Sequence, residues 1–211
     1  MVLASIYIGA VIDTRELYAP TLLYVVGPPA VGKMTVAYEI AQRTGLKVFH
    51  NHLSIEPALR FFEFGSPPFV RTVSEFRSRI FTEVASSNLP GLIFTFVWAF
   101  DLPSDQAELE HYATPFRSRG GQVIYLELSA SEEVRLERNK GELRLAEKPS
   151  KRDLEWSQRN LLELDRKYQL NSNGEFDERA DYLRIDNTEL SADTVALRTI
   201  EHFGLGWQIS E

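Results

Sequence analysis

The chain has 211 residues, 44% of them hydrophobic, and a formal net charge of −7. That length and apolar content suit one α/β domain with a full core. There is no cysteine, which excludes disulfides, thiolate metal sites and cysteine nucleophiles. The acidic balance argues against a broad nucleic-acid surface.

Val2 to Ile12 is largely apolar, and Asp13, Arg15 and Glu16 follow at once. The segment lacks a basic leader, a clear small-residue cleavage site and the length to cross a bilayer. Residues 1–20 are read as an N-terminal extension, an extra strand or docked arm, ahead of a domain over 21–211. No other segment resembles a transmembrane helix, and a cytoplasmic protein, monomer or homodimer, is expected.

The first strand is expected at Leu22–Val26, followed by Gly27-Pro28-Pro29-Ala30-Val31-Gly32-Lys33-Met34-Thr35. The loop fits G-x-x-x-x-G-K, the Walker A phosphate-binding pattern. In such a loop successive backbone N–H groups curl around phosphate oxygens and the following helix N-terminus adds positive potential. Gly27 and Gly32 leave room for the bend, and Lys33 supplies a point charge for the terminal phosphates. Val36, Ala37, Ile40 and Ala41 continue a helical pattern until Thr44-Gly45, a natural cap.

A short second strand at Lys47–Phe49 runs into His50-Asn51-His52. Two near-neutral histidines suit orienting or deprotonating a hydroxyl, or contacting a phosphate; the spacing also suits a metal pair, or plain polar loop residues. Helices over Ser54–Phe64 and Pro68–Ser86 are separated by Gly65-Ser66-Pro67. Phe61, Phe62, Phe64 and Phe69 lie here, with Arg60 and Arg71 nearby. The third strand, Leu92–Trp98, is a continuous apolar run, as for a strand buried on both faces. It leads to Asp101, which fits either a second metal-sphere carboxylate or a helix N-terminus. A helix follows from Ser104 towards Arg117, with a possible break at Pro115.

The fourth strand is expected at Val123–Leu128, and Ser129-Ala130-Ser131-Glu132 is a capping-box pattern. Arg135–Arg152 holds seven Arg or Lys against three Glu. Lys151–Gln169 reads as a long polar helix and Asn171–Glu178 as a surface loop. A fifth strand near Tyr182–Ile185 leads to Asp186-Asn187-Thr188, and Ser191 caps a last helix ending at Gly204. Alternation of apolar runs with amphipathic stretches indicates a parallel sheet covered on both faces.

The string Gly-Pro-Pro-Ala-Val-Gly-Lys-Met-Thr resembles the loop of adenylate and other nucleoside monophosphate kinases, which also carry a non-hydroxyl residue after the lysine and then a threonine. The layout is also similar to shikimate-kinase-like enzymes. The resemblance implies a small phosphotransferase using ATP and Mg2+. Met34 is a poor magnesium ligand, so Thr35 is left to help hold the metal, with Asp101, largely through water. Where shikimate-kinase-like enzymes carry Asp-x-Asp, this chain has His50-x-His52, a departure that puts shikimate in doubt as acceptor.

The resemblance further implies acceptor-binding helices over about 52–88 and a mobile lid over about 139–152, whose arginines close over the transferring group. Arg138 is placed like an arginine that stacks on adenine, Arg144 like a catalytic lid arginine, with Arg152 as a further candidate. The loop carrying Asn187 would border the adenine. The reading adds up to a three-layer α/β/α P-loop NTPase fold, five parallel strands in the order 2-3-1-4-5 and a lid. The expected activity is transfer of the γ-phosphoryl group of ATP to a small-molecule acceptor. The rivals are a nucleotide-binding regulatory ATPase that hydrolyses slowly and, disfavoured by the acidic charge, a kinase for nucleic-acid ends.

Overall fold

A computed structural model describes residues 19–206, apart from the side chains of Leu143 and Arg144. The extension expected over residues 1–20 therefore lies outside the described residues, except for Ala19 and Pro20. Five parallel strands form one sheet: β1 (Thr21–Val26), β2 (Lys47–His50), β3 (Gly91–Thr95), β4 (Gln122–Ser129) and β5 (Tyr182–Asp186). Their order is β2-β3-β1-β4-β5, as the sequence implies. Leu22 of β1 pairs in register with Leu92 on one side and Val123 on the other.

Alternation along β1 divides the core into two layers. Leu22, Tyr24 and Val26 point to one face, where they meet Phe81 of α3 (Pro67–Ser86) and Tyr112 and Phe116 of α4 (Pro103–Arg117). Leu23 and Val25 point to the other, against Val36 and Ile40 of α1 (Lys33–Thr44) and Val195 and Ile200 of α8 (Ala192–Phe203). A period of two along a strand makes this division unavoidable once both faces are covered.

The remaining helices are α2 (His52–Leu59), α5 (Glu132–Arg138), α6 (Glu142–Glu147) and α7 (Leu154–Lys167). Several boundaries differ from the sequence reading. Pairing in β3 stops at Thr95, opposite His50 at the end of β2. Beyond it Phe96 still donates its N–H to the Val25 carbonyl at 3.0 Å, and Phe96 and Trp98 stay buried because they pack into the core. The helix α2 starts at His52 and ends at Leu59, where Arg60 N–H turns back to the Pro57 carbonyl. Pro115 lies inside α4, which runs on to Arg117 without a break. The cap of α5 is Ser131, whose hydroxyl accepts the Val134 N–H.

The expected helix over Lys151–Gln169 is two elements. A 3₁₀ turn at Pro149–Lys151 is followed by α7, which opens on an Asp153 side chain accepting the Trp156 N–H. Asn171–Glu178 is a partly buried clasp rather than a plain surface loop. Glu127 on β4 is fully buried. One of its oxygens accepts from Asn171 Nδ2 (2.8 Å) and Ser172 N–H (2.8 Å), the other from the hydroxyls of Ser172 (2.6 Å) and Tyr182 (2.6 Å). Four donors compensate the burial of one carboxylate and hold the segment after α7 against the sheet.

Candidate active site

The turn from β1 into α1 is shaped by two glycines. Gly27 has φ 130°, and a Cβ there would lie 2.3 Å from the Leu128 carbonyl oxygen on β4. Gly32 has φ 109° and caps α1 without a side-chain bond. No acidic residue occupies the first turn of α1, so its N-terminal amides face the loop without a competing carboxylate. Lys33 Nζ folds across the loop and donates to the Gly27 (2.6 Å) and Pro28 (2.7 Å) carbonyls. The residues after it both line the cavity but differ in burial: Met34 is buried and Thr35 exposed.

Arg138 and Asn187 close one end of the loop. The Asn187 amide donates to the Val31 carbonyl at 2.9 Å. Arg138 donates to the same carbonyl at 3.0 Å and to the Asn187 carbonyl at 2.9 Å. Three separate parts of the chain, the phosphate loop, α5 and the turn after β5, are thereby tied together. Burial holds the Arg138 guanidinium below its ordinary pKa, and Asp186 opposes that shift.

From this end a cavity of about 1200 Å³ runs along the phosphate loop to the start of α2 and the segment after β3. Pro29 to Val36, Arg138 and Asn187 line the first part. Asn51, His52, Thr95, Val97, Ala99 and Asp105 line the second. Residues of the segment 141–151 and one face of α7, including Trp156, Asn160 and Leu164, complete the wall with Tyr168 just beyond the helix.

The roof segment is seated on the end of β2 and on α2. His50 Nε2 lies 3.2 Å from a Glu147 carboxylate oxygen. Glu56 accepts the Ser150 hydroxyl at 2.5 Å and the Ser150 N–H at 3.3 Å. The same carboxylate is 2.8 Å from His52 Nδ1. His50 is fully buried and lies outside the cavity lining, whereas His52 lines it. Burial lowers the His50 pKa below its ordinary value, more strongly than the bond to Glu147 raises it. The two histidines engage different carboxylates, one from the end of a strand and one from the start of a helix, so they do not form the metal pair their spacing allowed. Among the described residues no three His, Asp or Glu side chains converge as a metal site.

Asp101 is also placed away from the cavity. It is exposed, and its carboxylate accepts the Gln169 N–H at 3.1 Å, tying the segment after β3 to the end of α7. Asp105, one helical turn further on, lines the cavity instead. Its Oδ2 accepts the Ala99 N–H at 3.0 Å, and burial raises its pKa above the ordinary carboxylate value. Arg144 lies on α6, and its side chain is outside the described residues. Arg152 donates to the Leu145 carbonyl at 3.1 Å within the roof segment.

No protein-family model matches the sequence, and comparison with curated proteins finds no significant relative. Solved structures do match. One is a candidate kinase from Chloroflexus aurantiacus, with a TM-score of 0.59 and 19% identity over 87% of this chain and 98% of that one. Shikimate kinase from Acinetobacter baumannii, in complex with shikimate, gives a TM-score of 0.51 and 19% identity over 86% and 91%. The APS kinase of Mycobacterium tuberculosis, in complex with AMPPNP and APS, gives 0.51 and 14% over 88% and 98%. The chain has the P-loop kinase fold. In this P-loop kinase fold the strand order and the phosphate loop between β1 and α1 coincide with the sequence reading. Sequence inspection missed Asp105, Glu56 and the α7 wall. Asp105 had only the signal of an acid in the first turn of a helix, a common arrangement for stability alone. Among the described residues no helix is long and apolar enough to cross a membrane.

Proposed function

We propose that this protein is an ATP-dependent phosphotransferase acting on a small-molecule acceptor. One observation carries the reading: a single cavity joins the phosphate loop to a second chamber bearing His52 and Asp105, under one roof. A nucleotide hydrolase needs no such second chamber; a transferase needs a place for the acceptor beside the γ-phosphate. A cytoplasmic setting, where ATP is supplied, fits this activity.

In this reading the loop amides and Lys33 hold the β- and γ-phosphates. Arg138 and Asn187 frame the nucleoside, and neutralising the transferring group is assigned to lid cations, with Arg144 as the candidate. Phosphoryl transfer depends mainly on positioning and charge stabilisation, which such groups supply. Asp105 takes the proton of the acceptor hydroxyl, and His52, fixed by Glu56, orients that hydroxyl. Thr35 offers a hard oxygen on the cavity wall, while the Met34 thioether beside it is a poor magnesium ligand, so the residues fit a magnesium ion held mostly by water and phosphate. When bound, that ion would neutralise charge on the β- and γ-oxygens.

Calorimetry with ATP and magnesium tests the donor assignment. The wild type is expected to bind ATP, and Lys33→Ala to lose at least tenfold in affinity with an unchanged circular dichroism spectrum. ATP failing to bind the folded wild type would sink the proposal.

A further inference from the structure

Resting on the kinase reading above, we infer that the acceptor is an uncharged alcohol with a substantial apolar body. The second chamber has an apolar wall from four elements: Ile55 and Leu59 of α2, Phe64 of the following turn, Val97 and Leu102 after β3, and Leu164 of α7. The cavity volume of about 1200 Å³ exceeds the usual range of roughly 300–1,000 Å³ for one small-molecule site, leaving room for a sizeable acceptor beside a nucleotide.

The charged groups point the same way. Among the described residues one arginine lines the cavity, Arg138, and it is bonded to Val31 and Asn187 at the donor end. Arg60 and Arg71 are exposed and lie outside the lining. Arg77 is buried beneath the chamber but is engaged by Glu108 (2.8 Å), Ser54 (2.9 Å) and Asn51. Lys148 and Lys151 belong to the roof segment, and Lys151 is shared between Asn160 Oδ1 (3.0 Å) and the Trp156 ring (4.3 Å). Asp105 places a carboxylate on the acceptor side. Among the described residues, an anionic acceptor would meet that carboxylate with no bidentate guanidinium in the chamber lining to offset it.

The polar groups of the chamber are also largely engaged with one another. The Asn51 side-chain oxygen accepts from Arg77, Thr95 Oγ1 accepts the Asn51 N–H at 3.3 Å, and His52 is held by Glu56. A polyol would lose hydration at many hydroxyls and recover few bonds, whereas an apolar body with one reactive hydroxyl would not. In the step, the acceptor oxygen bonds to the γ-phosphorus and the β,γ-bridging P–O bond breaks. ADP leaves, the hydroxyl proton passes to Asp105, and the product is a phosphate monoester.

The test is ADP formation by purified protein with ATP and magnesium against two arms of acceptors. The neutral arm is 4-phenylbutanol, geraniol and a neutral hydroxylated macrolactone; the anionic arm is shikimate, gluconate and glycerol 3-phosphate. Calorimetric ATP binding is measured first, so that failure of the kinase reading shows separately as absent ATP binding. With ATP bound, at least tenfold stimulation confined to the neutral arm is expected, with a phosphate monoester seen by phosphorus NMR. Phe64→Lys, at a residue 69% exposed and therefore tolerant of change, should raise the KM of the stimulating alcohol at least tenfold. Stimulation by the anionic arm, no stimulation by the neutral arm, or inorganic phosphate as the sole product would each overturn the inference.

Discussion

Asp105, in the first turn of α4, is held by the Ala99 N–H from the segment after β3, and burial is the first cause of its raised pKa. A general base must be ionised, so turnover should fall on the acid side through a pKa above the ordinary carboxylate value. Asp105→Asn should lower kcat by about 10²–10⁴-fold, the usual range for losing a general base, while ATP affinity holds. Equal turnover in the variant at all pH values would remove Asp105 from the chemistry. Met34 and Thr35 both line the cavity and differ in burial, Met34 being buried and Thr35 exposed. Met34→Ser should cost about 2–4 kcal/mol in urea denaturation, because it replaces a buried thioether with a hydroxyl and a cavity. Thr35→Val should leave the denaturation midpoint within about 0.5 kcal/mol of wild type, as expected for an exposed position, and lower turnover. The phosphate loop was legible in the sequence because its function resides in contiguous backbone. The choice between Asp101 and Asp105 was not, because both sit near the start of one helix and only the path of the chain after β3 selects which faces inward.

Among the elements, the roof segment shows the limit of reading charge alone. Its cations suggested a lid, yet the bonds that seat it are made by Glu147 and Ser150, on His50 and Glu56 from the other side of the cavity. Pairing across 97 and 94 residues leaves no local pattern to read. The helices and strands themselves were legible from periodicity, and the errors fell where packing outlasts pairing, as in Phe96 and Trp98. The His50 contact has a pH consequence. Burial depresses the folded-state pKa below the unfolded value of about 6.5, so the unfolded chain takes up a proton first as pH falls. Stability from this group is therefore complete above about pH 6.5 and is lost as pH falls through the depressed folded value. Each pH unit separating the folded and unfolded values is worth about 1.4 kcal/mol. Urea midpoints measured from pH 7.5 to 5 should fall more steeply for wild type than for His50→Gln. Parallel slopes would show that His50 does not couple to folding.

Across the whole molecule, the two core layers divide the labour of the cavity. Val31 of the phosphate loop packs in the α1–α8 layer, while α4 of the other layer contributes Asp105 to the cavity, so in the proposed reading the first serves the nucleotide and the second the acceptor. Glu127, on β4 between β1 and β5, connects them through the clasp after α7. Asn171 Nδ2 also donates to the Leu128 carbonyl at 3.0 Å, the same oxygen that forbids a side chain at Gly27. Two residues earlier, the Gln169 carbonyl accepts the Phe100 N–H at 2.8 Å, which sets the end of α7 beside the cavity wall. A polar stretch such as Asn171–Glu178 reads as solvent-facing because its composition carries no sign of the buried acid that recruits it. Glu127→Gln keeps the volume but turns an NH₂ group towards bonds that need an acceptor. Leaving buried donors unpaired costs about 1–3 kcal/mol each, so the variant should lose roughly 2–4 kcal/mol in urea denaturation. Its opening should be local as well as global, since the clasp has few apolar anchors beyond Phe176, which packs on Trp98 with ring centroids 5.7 Å apart. Amide exchange over residues 169–176 should therefore accelerate more than exchange in β1. A midpoint equal to wild type, or acceleration spread evenly over the sheet, would mean that the clasp follows the fold without holding the cavity wall in place.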